Sequence, residues 1–94
     1  DRIEWQQESG PTSWNVYEGD LDVLRANGEY TQAPESNPVA DRHCGVADTW
    51  VEDLGAPARG KANFALVTGM QNGTEWSLGT DSRGITRANT NPCP

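Results

Sequence analysis

Long apolar runs are missing from this chain. The longest, Phe64-Ala65-Leu66-Val67, falls far short of the ~20 residues that a bilayer-spanning helix needs. No direct membrane span is therefore expected. Basic residues are scarce too: seven Lys and Arg stand against fourteen Asp and Glu, for a formal charge of -7. That balance is the reverse of the basic footprint that contacts phosphates, which excludes nucleic acid as an expected partner. The acids are scattered from Asp1 to Asp81 with no block of one sign, and read as a solubilising surface rather than a docking tail.

Histidine occurs once, at His43. Any serine triad would depend on it, yet Ser9, Ser13, Ser36, Ser77 and Ser82 all lack the G-x-S-x-G elbow. The glycines form neither phosphate-binding fingerprint, G-x-G-x-x-G nor G-x-x-x-x-G-K-[ST]. No pair of carboxylates is singled out for acid/base work. Glu18-Gly19-Asp20-Leu21-Asp22 is the densest run of oxygen ligands, but it departs from the D-x-[DN]-x-[DN]-G calcium loop, and a helix N-terminus already accounts for Asp20 and Asp22. The expectation is a noncatalytic chain with no metal and no cofactor.

Cysteine is limited to Cys44 and Cys93, whose spacing fits neither a C-x-x-C metal motif nor C-x-x-C-H haem attachment. One disulfide between them is the economical reading. It spans 49 residues, for which the chain-entropy model gives ~4 kcal/mol, and it implies an oxidising compartment. The competing reading is a thiol activated by His43, but neighbours on an extended chain point apart and no second His is present. The chain opens on Asp1 with neither a charged n-region nor an apolar h-region, so the expectation is a mature product or a trimmed piece.

What is present suits one small β domain over residues 1–94. Hydrophobic residues make up 34% of the chain, and much apolar area is concentrated in four Trp, two Tyr and one Phe. A chain of this size buries only about 64% of its area, so each of these rings matters. Apolar and polar side chains alternate at Ile3/Trp5, Trp14/Val16, Phe64/Leu66 and Trp76/Leu78, which predicts four strands with these residues in the core. Asn72-Gly73 predicts a type I′ hairpin, which explains Asn72-Gly73-Thr74 without reading it as a glycosylation sequon.

Asp20 as N-cap, Arg25 in the last turn and Asn27-Gly28 as the stop predict a short helix over Leu21–Ala26, with Leu21 and Leu24 facing the core. Residues 33–43 and 55–61 read as loops, and Cys44 to Leu54, with Val46, Trp50 and Val51, as a further strand. Trp50 is the indole expected to be exposed for binding. The tail Asn91-Pro92-Cys93-Pro94 cannot form regular structure and needs the disulfide to hold it. No internal repeat is present. The expected fold is all-β: a small antiparallel sheet or sandwich with one short helix, long loops and one disulfide.

Trp5, the run from Gly10-Pro11-Thr12-Ser13-Trp14 through Asn15-Val16-Tyr17-Glu18-Gly19-Asp20-Leu21, and Leu24 resemble the fibronectin-type-III-like end modules of secreted bacterial proteins. Phe64 to Gly69, Ser77 to Ser82 and the terminal Asn91-Pro92-Cys93-Pro94 continue the likeness over nearly the whole chain. In size, opening segment and C-terminal Cys, the chain more narrowly resembles the globular chain of a split type IV pilin. That resemblance implies a pilin-head-like or fibronectin-III-like fold and an extracellular structural role. It also implies noncovalent docking on a short helical pilin chain and neighbouring copies in a filament. Only Cys44 and Cys93 carry over as residues; no family motif marks the docking surface. The alternative is a secreted adhesive or carbohydrate-binding module. No haem ligand set accompanies either reading, and no electron-transport role is inferred.

Overall fold

Pairing of two long strands organises the molecule. A computed structural model describes residues 2–52 and 62–94; the loop expected over 55–61 lies outside the described residues. The elements are β1 (Arg2–Glu4), β2 (Ser13–Asp20), α1 (Leu21–Asn27), β3 (Asp41–Val46), β4 (Trp50–Glu52), β5 (Asn63–Gln71) and β6 (Thr74–Glu75). They form an all-β, antiparallel arrangement of a β1-β4 ribbon and a four-stranded sheet in the order β3-β2-β5-β6, with one short helix and one disulfide.

β2 pairs with β5 along its whole length, from Ser13↔Met70 to Asp20↔Asn63. Strand alternation then puts Trp14, Val16 and Glu18 on one face with Gly69, Val67 and Ala65, and Asn15 and Tyr17 on the other with Thr68 and Leu66. Trp14, Val16 and Tyr17 are buried. Full burial of such side chains stabilises by roughly 1.5–3 kcal/mol each. Trp5, just beyond β1, meets Trp14 edge-on at 6.2 Å between ring centroids and ties the small ribbon to the large sheet.

The hairpin forms as its turn residues require. Asn72 and Gly73 take φ of 53° and 79°, and Gln71 pairs with Thr74 and Met70 with Glu75. α1 is likewise closed by Asp20, whose side chain accepts the Asp22 N–H at 2.7 Å, and by Gly28 at φ 71°, whose N–H donates to the Leu24 carbonyl at 2.8 Å. Buried Gln32 clasps Asp20 from outside the sheet. Its Oε1 accepts the Asp20 N–H at 2.9 Å, and its Nε2 donates to the Asp20 carbonyl at 3.0 Å. A Cβ at Gly19 would lie 2.8 Å from the Gln32 amide carbon, so the clasp requires glycine there.

Several expectations are corrected. The loop predicted to run through residue 43 gives way to β3 at Asp41, because an edge strand of polar residues is held by pairing with β2 rather than by apolar alternation. The strand predicted over Cys44 to Leu54 is interrupted after Val46 and resumes at Trp50. A bulge between Trp14 and Val16 is accommodated on β3 by Gly45 at φ 66°, whose N–H donates to Asn15 Oδ1 at 3.0 Å.

Among the expected core residues, Trp14, Val16 and Leu78 are buried, whereas Ile3, Trp5, Phe64 and Leu66 are half-buried. Leu21 and Leu24 are also only half-buried, and no residue of α1 is buried, since a helix of two turns covers little of the sheet. Trp76 is no core residue: it follows the two-residue edge strand β6, and its indole is 38% exposed.

Cys44 and Cys93 are bonded, with 5.9 Å between their Cα atoms. The tail is held by more than sulfur. The Cys93 N–H donates to the Tyr17 hydroxyl at 2.9 Å, Asn91 Nδ2 donates to the Thr31 carbonyl at 2.7 Å, and Arg42 Nη1 donates to the Pro92 carbonyl at 3.0 Å.

Candidate functional site

Three of the four tryptophans line one groove of about 310 Å³, together with Pro11, Val67 and Leu78; Gln6, Glu8 and Ser77 supply polar groups. Trp14 and Val67 come from the shared face of β2 and β5, Trp5 from the end of β1, and Trp76 from just beyond the hairpin. Two glycines make room for this arrangement. A Cβ at Gly69 would lie 2.6 Å from Pro11 Cγ, and one at Gly10, where φ is 112°, 3.1 Å from the Trp76 ring. The Trp76 N–H donates to the Gly69 carbonyl at 2.8 Å, so the indole is fixed by backbone as the chain leaves the sheet. Trp5 Nε1 is buried without a hydrogen-bond partner among the described residues.

Trp50 is 37% exposed, but the Arg2 guanidinium carbon stands 4.8 Å over its ring. A cation stacked on the indole occupies a face that a planar ligand or a sugar would use. Of the indoles, sequence reasoning singled out Trp50 for binding and missed Trp76, because it carried the strand alternation past Glu75.

The opposite face of the sheet holds a polar cluster centred on Glu75. Its Oε2 accepts from Asn15 Nδ2 at 3.0 Å, from the Tyr17 hydroxyl at 2.6 Å and from Thr68 Oγ1, while Oε1 accepts from Asn89 Nδ2 at 3.1 Å. Burial alone would raise the Glu75 carboxyl, but the donors Asn15, Thr68 and Tyr17 together outweigh it and hold the group below its ordinary range. Tyr17 is pushed up, first by burial and then by its bond to Glu75. Four internal donors converge on this one carboxylate, so the cluster ties β2, β5, the hairpin and Asn89 together. The signal for it lay in the hairpin register, which seats Glu75 opposite Met70 and hence on the face of Asn15 and Tyr17.

A third constellation joins β2 and β3. His43 Nε2 lies 2.9 Å from Glu18 Oε2 and 4.0 Å from Asp41 Oδ2. His43 pairs with Val16, which places it on the Glu18 face and turns Cys44 to the other. The imidazole is therefore not set against the sulfur.

No helix among the described residues is long and apolar enough to cross a membrane. No family model matches the chain, and neither a curated protein nor a solved structure matches it.

Proposed function

We propose that this chain is a noncatalytic structural subunit of an extracellular type IV pilus, docking noncovalently on a separate helical pilin chain and forming the filament's outer surface. The observation that carries this reading is the groove of Trp5, Trp14 and Trp76, in which Trp76 remains 38% exposed on a domain otherwise fastened by its disulfide. Large rings in a rigid recess are the kind of acceptor into which a partner helix inserts apolar side chains, and burial there stabilises by ~25 cal/mol per Å². A charge of -7 per copy opposes close stacking of like chains unless Arg residues meet acids on neighbours or the partner is basic.

The test is purification of intact filaments from cells that express the chain. The reading requires the chain in the outer layer, and a Trp76→Ala variant that folds but is depleted from filaments. Filaments that never contain the chain overturn it. A second reading, a carbohydrate-binding module, draws on the partly exposed Trp76 ring and on Gln6 and Glu8, which also line the groove. Saturable glycan binding by the isolated chain, lost in Trp76→Ala, would favour that reading instead.

A further inference from the structure

We propose that Glu18, Asp41 and His43 form a binding site for one divalent transition-metal ion of the zinc type, held between β2 and β3. The register pairs Glu18 with Asp41, so two carboxylates stand directly opposite each other on one face. Like charges in that relation repel. His43, two residues along β3, brings an imidazole nitrogen to the same spot. One ligand atom from each of the three residues lies within 4.8 Å of the others.

A tetrahedral zinc ion with bonds of 2.0–2.1 Å spaces its donors about 3.3–3.5 Å apart. The observed separations of 2.9 Å from His43 to Glu18 and 4.0 Å from His43 to Asp41 bracket that value, and the third, between the two carboxylates, is within 4.8 Å, so side-chain rotation has to close the wider gaps around the ion. The Glu18 side chain is only 5% exposed and is fixed by strand pairing on both sides, whereas His43 and Asp41 reach solvent. The ion thus has an anchored ligand, a route of entry, and a fourth position for water. One imidazole among two carboxylates selects zinc-like ions over calcium or magnesium, which prefer oxygen donors alone. The surplus of acids favours cation capture as well.

The chain makes the test clean, because His43 is its one histidine and both cysteines are bonded to each other. Metal-free full-length chain is titrated with zinc chloride by calorimetry and with cobalt(II) by visible absorption, while the His43 ring is followed by NMR. The expected result is one saturable equivalent, a shifted His43 Nε2 resonance, a raised Tm with zinc, and binding weakened at least tenfold at pH 5. His43→Gln, which retains a polar side chain at the Glu18 contact, should lose the zinc-dependent rise in Tm, and Asp41→Asn should bind at least tenfold more weakly. Absence of a saturable equivalent overturns the proposal. So does zinc binding that leaves the His43 resonance in place, equal affinity in His43→Gln, or tighter binding of calcium than of zinc.

Discussion

Tyr17 and Glu75, 58 residues apart in the chain, are joined by a hydroxyl-to-carboxylate hydrogen bond of 2.6 Å. The same hydroxyl accepts the Cys93 N–H at 2.9 Å, so one oxygen links the central strand, the hairpin and the tail. Tyr17→Phe keeps the ring and deletes that oxygen, leaving a half-buried carboxylate with one donor fewer and the Cys93 amide without its acceptor. The loss should be about 1–3 kcal/mol in urea denaturation at neutral pH. A variant as stable as the parent would show that the linkage contributes nothing.

Stability should fall at both ends of the pH scale through this pair. Glu75 is depressed in the fold from its ordinary value of 4.5, so its contribution is complete above that value and is lost as pH falls through the lower folded one. Tyr17 is raised above 10.0, so its contribution is complete below pH 10.0 and is lost as pH rises through the folded value. In Glu75→Gln the acid limb of a plot of Tm against pH should flatten, while other carboxylates still titrate. An unchanged acid limb counts against the assignment.

Breaking the Cys44–Cys93 bond should cost roughly 2–4 kcal/mol, read as the difference in denaturation between the parent and Cys44→Ser/Cys93→Ser. Because Asn91 and Cys93 also bond Thr31 and Tyr17, the tail should not simply detach. Amide exchange at Asn91 should accelerate in the double variant yet stay slower than in the unfolded chain.

Two glycines distinguish crowding from backbone strain. Gly69→Ala would push a methyl group into Pro11, which lines the recess with the three indoles, with a cost of about 1–3 kcal/mol. Gly73→Ala meets nothing within 4 Å and suffers only from its φ of 79°, at roughly 1 kcal/mol. Only the first should shift the tryptophan emission.

Local chemistry was legible. Asn72-Gly73, the Asp20 cap with its Gly28 stop, and the lone cysteine pair each announce their structure within a few residues or by count. The all-β class followed from alternation at Trp14/Val16 and Phe64/Leu66. Illegible were features set by distant pairing. Asp41-Arg42-His43 carries no apolar pattern, yet β2 recruits it as an edge strand. Trp76 kept the period of its hairpin arm and still bonds Gly69, but it stands at the end of an edge strand, where its ring stays partly uncovered. The groove needed Gly69 and Pro11 to meet, across a separation that no local pattern encodes.

The convergence of Trp5, Trp14 and Trp76 on one recess gives the protein a built-in optical gauge. Three of its four tryptophans report from a single place. Occupancy of that place by a helix, a sugar or solvent should therefore be readable from the colour of the native emission, without an attached dye.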